Sequence, residues 1–181
     1  MAHGTRRGIF GPPVNATAAI RHIFISPGHN FFGRHGQAAG VHPAHECAAV
    51  RCVAGQGLEG DRFFGYRPDY GGQVTFFAWE TVLDARREFG LPALSAAVFR
   101  RNIVTEGIAL PGLIGLRFTL GGVECEGAGE AKPCYWMDGA VAPGAAAWLG
   151  GRGGLRAKIL ADGALHCGPA ALRVPESLAL G

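Results

Sequence analysis

Residues Leu116–Cys134 read L-R-F-T-L-G-G-V-E-C-E-G-A-G-E-A-K-P-C. Leu116–Leu120 and Val123–Glu126 are short runs of strand character on either side of Gly121-Gly122. A two-glycine loop between such runs is a strong local hairpin signal, because primed turns need positive φ at their centre. The stretch then leaves the hairpin through Gly127–Asp138 and reaches Cys134, directly after Pro133 and two places after Lys132. A structural cysteine usually sits in an apolar run, whereas this one sits in a polar, glycine-bearing loop. A neighbouring cation favours the thiolate, the form that attacks electrophiles and ligates soft metals. The alternative is a small, inert hydrophobe.

Outward from the hairpin, the same grammar recurs. Asp162-Gly163 separates Leu155–Ala161 from Ala164–Cys167, which predicts a second hairpin. Ala18–Ser26, Glu46–Val53, Gln73–Phe77, Ile103–Thr105 and Leu172–Val174 read as further strands. Trp79–Phe89 is the best helix: Trp79, Val82, Leu83 and Phe89 share one face, Gly90 suits the C′ position and Pro92 blocks extension. Shorter helices fit Leu94–Phe99 and Ala145–Leu149. About eight short strands with two or three short helices predict a mainly β fold. Sequential hairpins favour a closed or partly closed barrel, because closure removes exposed edges.

The chain has 181 residues, 48% of them hydrophobic and 17% charged, which argues against disorder. A chain this long buries roughly 70% of its unfolded surface and needs no disulfide to hold a core. With no repeat or linker, residues 18–175 read as one domain between a loose arm (1–17) and a short tail (176–181). The net charge of +3 is spread without Lys/Arg blocks, so no nucleic-acid surface is expected. No apolar run approaches the ~20 residues that span a bilayer, and no signal-peptide order is visible. Five cysteines without a C-x-x-C pair suggest free thiols in a reducing compartment. A cytoplasmic protein away from membranes is expected.

Four stretches, in this order, resemble the MOSC domain, the family named after the C-terminal domain of molybdenum-cofactor sulfurases. Gly55–Arg62 (G-Q-G-L-E-G-D-R) is similar to the family's G-x-x-G-D turn. Phe99–Val104 (F-R-R-N-I-V) is similar to its R-x-N-(I/L)-V strand entry. Ile114–Gly127 leads into Lys132–Cys134 (K-P-C), where the family places its cysteine, and Gly154–Gly168 resembles its closing hairpin. Two departures stand out: Pro169 replaces an Asp common in the family, and Pro27–His45 is a long glycine-rich loop carrying His29, Asn30, Arg34 and His35.

The resemblance implies a β-barrel like that of pyruvate kinase. It implies the molybdenum cofactor (molybdopterin), with Cys134 as the metal ligand, or alternatively a persulfide carried on Cys134. It implies reduction of N-hydroxylated compounds, with electrons from a separate electron-donor protein, since no iron–sulfur cysteine cluster is present. The alternative is a non-catalytic cofactor or sulfur carrier that works with a desulfurase or a cofactor acceptor, and a third is a cofactor-free interaction module. Lys132 and Arg100 then suit anionic groups of the cofactor. Asn102 suits the pterin edge or the backbone of the next loop, and Asp61 suits pterin N–H groups or a turn N–H. If Arg100–Asn102 is extended, Arg101 points to solvent. Asp138 suits a proton donor for N–O cleavage or the start of a turn, and His29 suits a proton donor or phosphate contact. His42, His45 and Cys47 offer a rival zinc set without a fourth ligand. Pairing of Cys134 with His29 or His166 offers a rival thiol nucleophile.

Overall fold

A computed structural model describes residues 14–30, 38 and 40–175. In chain order its elements are β1 (Val14–Ile25), β2 (His45–Cys47), β3 (Ala49–Val53), β4 (Gly57–Leu58) and β5 (Val74–Ala78). Helix α1 (Trp79–Glu88) follows, then a 3₁₀ turn (Ala96–Phe99), β6 (Ile103–Glu106) and a second 3₁₀ turn (Leu110–Leu113). The chain continues through β7 (Arg117–Leu120), β8 (Val123–Glu130), α2 (Trp136–Ala140) and α3 (Ala145–Trp148). It closes with β9 (Leu155–Ile159), β10 (Gly163–His166) and β11 (Gly168–Val174).

The β7–β8 hairpin forms where the two glycines predict it. Gly121 and Gly122 have φ of 56° and 89°, and Leu120 pairs with Val123 across them. Phe118, Leu120, Val123 and Cys125 all fall on the buried face. From this hairpin seven strands run in the order β11-β7-β8-β9-β5-β6-β1, and β1 returns to β11 antiparallel, so the barrel closes without a free edge. One pair, β5 with β6, is parallel. Parallel neighbours need a crossover, and α1 supplies it. That helix ends as its sequence requires: Gly90 has φ 64° and Leu91 N–H returns to the Arg86 carbonyl at 2.9 Å.

Phe76, Ile103, Phe118, Leu155 and Ile159 fill the barrel interior. A second cluster, with Phe77, Val82, Phe99, Met137 and Leu149, packs the helices onto the barrel's outer wall. The alternation of β5 and β6 divides them: Phe76 and Ile103 face inward, Phe77 and Val104 outward.

Three expectations change. Strand β1 starts at Val14, inside the stretch read as an arm, because Val14–Ala18 pair with Val174–Ala170. Residues 1–13 and 176–181 lie outside the described residues. Glu46–Val53 is not one strand: it breaks at Ala48, where β2 pairs with β1 of the barrel and β3 pairs with β10 and β4 in a separate three-stranded sheet. Asp162-Gly163 is not a hairpin turn. β9 pairs with β8 and β5, while β10 crosses to β3. The Asp162 carboxylate instead accepts the Ala54 N–H at 2.8 Å, pinning the turn beyond β3. A turn-forming dipeptide signals the bend but not the strand that receives the chain.

Candidate functional site

Strand β8 ends at Glu130, and the chain leaves the barrel wall as Ala131 N–H bonds to the Gly154 carbonyl at 2.8 Å. Lys132, Pro133 and Cys134 then cross the rim of a cavity of about 350 Å³. The Cys134 carbonyl accepts the Met137 N–H at 3.0 Å, turning the chain into α2, and the Cys134 side chain is exposed.

Arg101 fixes this segment from beneath. Its Nε donates to the Gly153 carbonyl at 2.8 Å, Nη1 to Phe99 at 3.2 Å, and Nη2 to Ala131 at 2.6 Å and Lys132 at 3.4 Å. Burial pulls the guanidinium down to about 10; Cys134 and Glu130 hold it up, and Arg62 and Arg156 press it lower. It stays charged at neutral pH. The expectation that Arg101 faces solvent fails, because Arg100–Asn102 is not extended. Arg100 has φ 52° and its N–H closes the 3₁₀ turn on the Ala97 carbonyl, so Arg100 and Arg101 both reach the cavity.

Arg100 also gathers the Pro27–His45 loop. Nη2 donates to Ser26 Oγ at 3.0 Å and to the Gly28 carbonyl at 3.2 Å, and Nη1 donates to the His42 carbonyl at 3.1 Å. Asn30 ties the loop's neck, its Nδ2 donating to the His42 carbonyl and its Oδ1 accepting the His42 N–H, both at 2.8 Å. His29 consequently faces the cavity with its ring edge-on to Phe63, centroids 4.8 Å apart. Burial, then Arg62, lowers its pKa below the ordinary histidine value of 6.5. Arg34 and His35 lie outside the described residues.

Among the described residues that line the cavity are the cations Arg62, Arg100, Arg101, Lys132 and Arg156, against the single carboxylate of Glu130. Phe63, Tyr70 and Trp136 add aromatic wall. The site-residue expectations thus divide. Cys134, Lys132, Arg100 and His29 meet at one cavity. Asp61 and Asn102 lie behind its wall and bond to each other and the backbone. Asp61 Oδ2 accepts from Ser26 N–H and Asn102 Nδ2, each at 3.1 Å, and Oδ1 accepts from Phe63 N–H at 3.1 Å. Asn102 Oδ1 accepts from Thr75 N–H at 3.1 Å and its hydroxyl at 2.8 Å. Asp138 is turned toward α3, where its carboxylate accepts the Ala146 N–H at 2.8 Å.

Arg62, Arg156, Tyr70 and Trp136 carry no role in the sequence reading, and Arg101 is placed there in solvent. Arg62 adjoins Asp61 in the G-x-x-G-D turn, which is a signal; Arg156 reaches the cavity only because β9 lies beside β8. His166 is on β10, opposite Ala49 and away from the cavity wall. Among the described residues no three His, Cys, Asp or Glu side chains gather as a metal site. A thiol rimmed by cations matches the donor chemistry of an anionic, thiolate-ligated group such as the molybdenum cofactor.

A closed seven-stranded barrel with a cysteine loop at its rim defines a class. The family model for the MOSC domain matches residues 60–174, and the chain belongs to the MOSC family, which is associated with molybdenum-cofactor binding. Solved structures share the fold. YuaD from Bacillus subtilis is 18% identical with a TM-score of 0.70, covering 91% of this chain and 100% of that one. YiiM from Geobacillus stearothermophilus is 18% identical with a TM-score of 0.65, covering 90% and 77%. YiiM from Escherichia coli is 19% identical with a TM-score of 0.59, covering 84% and 70%. No curated protein matches the chain. No helix among the described residues is long and apolar enough to cross a membrane.

Proposed function

We propose that the cavity binds the molybdenum cofactor through Cys134 and that the protein reduces N-hydroxylated substrates. The observation that carries this reading is the exposed Cys134 thiol at a cavity lined by Arg62, Arg100, Arg101, Lys132 and Arg156. Cys134 would hold the metal as a thiolate. Lys132, Arg62 and Arg100 would meet the anionic groups, the arginines through paired N–H donors. Phe63, Tyr70 and Trp136 would pack against planar rings and keep water out. Bound there, the cofactor would supply two-electron removal of oxygen from an N–OH group. His29 would deliver a proton to the leaving oxygen from its ring nitrogen, and its lowered pKa makes the protonated ring a stronger acid. Electrons would come from a separate donor protein.

A second reading rests on Cys134 being exposed rather than buried in the cavity. An accessible sulfur suits a carrier that passes cofactor or persulfide sulfur to a partner.

The test is purification from a host that makes molybdopterin, beside Cys134→Ser. Molybdenum is measured by elemental mass spectrometry and pterin by fluorescence after oxidation. Near-stoichiometric metal and pterin in the parent, with metal lost in the variant, support the binding reading. Turnover of an amidoxime with a chemical reductant then separates enzyme from carrier. Absence of metal and pterin from the parent, even after reconstitution with free cofactor, overturns the binding reading.

A further inference from the structure

Twice the chain crosses between the barrel and the small sheet through a single residue, and a cysteine stands at each crossing. Cys47 ends β2, which pairs with barrel strand β1, and Ala48 carries the chain into β3 of the small sheet. Cys167 is the one residue between β10 of the small sheet and β11 of the barrel.

The crossings lie side by side. Cys167 N–H donates to the Ala48 carbonyl at 2.9 Å, which sets the two backbones one ladder spacing apart. The Cys167 thiol points at the Cys47 carbonyl, 3.6 Å away, and the Cys47 thiol points at the Ile23 carbonyl of β1 at 3.7 Å. Cys167 stands opposite Ala48, one residue from Cys47, and both thiols bear on the same Ile23 carbonyl of β1. Cys167 is exposed and Cys47 half-buried, so one thiol meets solvent and the other waits behind it. Burial raises the pKa of both, and the charge of Cys167 raises Cys47 further, as two sulfurs within electrostatic reach require.

We propose that Cys47 and Cys167 are an oxidisable pair that closes a reversible disulfide by exchange with a low-molecular-weight disulfide such as glutathione disulfide. The Cys167 thiolate attacks one sulfur of glutathione disulfide, forming a mixed disulfide and releasing one glutathione thiolate. The Cys47 thiolate then attacks the Cys167 sulfur and releases the second. The protein loses two electrons and two protons, and glutathione disulfide becomes two glutathione thiols. The bond joins both crossings and fastens the small sheet to the β1–β11 wall.

The test is equilibration of the whole protein with rising ratios of glutathione disulfide to glutathione, acid quenching, and peptide mapping without reduction. A linked pair of peptides carrying Cys47 and Cys167 is expected, with Cys134 appearing only as a glutathione adduct. The oxidised protein is expected to melt about 5–10 °C above the reduced one. Both signals vanish in Cys167→Ser, a substitution at an exposed position that leaves the fold intact. A lasting glutathione adduct on Cys167 beside a free Cys47 thiol overturns the proposal. So does a Cys167–Cys167 dimer, or a linked pair with no rise in Tm. None of these outcomes depends on molybdenum content.

Discussion

The Asn102 side-chain amide donates to the buried Asp61 carboxylate at 3.1 Å, joining the G-x-x-G-D turn to the entry of β6. The same amide donates to the Phe24 carbonyl of β1 at 3.1 Å, and Thr75 of β5 supplies both donors to the Asn102 oxygen. One side chain therefore ties three barrel strands to the turn. Asp61 and Asn102 brace the cavity wall from behind, and neither buries a side-chain nitrogen or oxygen without a partner.

Asn102→Leu should destabilise the protein by about 2–4 kcal/mol. It leaves the Asp61 carboxylate, the Phe24 carbonyl and the Thr75 N–H short of partners at once. Urea denaturation should show a lower midpoint with an unchanged slope. A midpoint within error of the parent would return Asn102 to the role of ligand contact.

Arg101 should resist conservative replacement. Lysine carries one compact charge and cannot reach Gly153, Phe99 and Ala131 together as the guanidinium does. Arg101→Lys should cost about 1–3 kcal/mol and speed proteolysis near Lys132. Gly153→Ala should disturb the same place from the other side, because its Cβ would lie 2.3 Å from the Ala131 oxygen. Limited chymotrypsin digestion followed by mass spectrometry checks both. Cutting after Tyr135 or Trp136 no faster than in the parent would show that Arg101 does not hold the Cys134 loop.

The barrel was legible because its signals are local. The Gly121-Gly122 hairpin, the α1 stop at Gly90 and the inward residues of β7 and β8 each follow from a few adjacent residues. What escaped was long-range. Asp162-Gly163 looks like a hairpin, yet β10 finds its partner in β3, more than a hundred positions earlier. Arg101 was misplaced because the alternation rule was applied across Arg100, whose left-handed backbone breaks it. Cys134, Lys132, Arg100 and His29 were found as candidates, but Arg156 joins them only through the β8–β9 pairing. Asp61 and Asn102 stood out as polar motif residues, and chemistry alone cannot separate a ligand from a buried strut.

The five thiols should separate sharply by reactivity. Burial pushes Cys52 up to about 11 and drives Cys125 higher still, and both are sealed in the core. Cys134 and Cys167 are exposed. Iodoacetamide at neutral pH should label those two, Cys167 slowed by the pKa that its partial burial raises, and spare Cys52 and Cys125 until the chain unfolds. Early labelling of Cys125 by peptide mapping would contradict the closed barrel.

His29 gives the protein an acid-side sensitivity of known sign. Its pKa in the folded state lies below the unfolded value of 6.5, through burial first and then the Arg62 charge. Between those two values the unfolded chain binds more protons than the folded one, so stability rises with pH across that window and is flat with respect to this group above 6.5. Below the folded value the contribution is fully lost. Arg100 and His42 add to the lowering and Asp61 opposes it, so the shift reports on how His29 is held against the cavity wall. His29→Gln, which cannot titrate, should flatten this part of the stability profile. Two-dimensional NMR of the histidine ring protons should show one imidazole titrating below the ordinary value in the parent and missing from the variant. A His29 resonance titrating at or above 6.5 would mean that the loop does not hold the ring against Phe63.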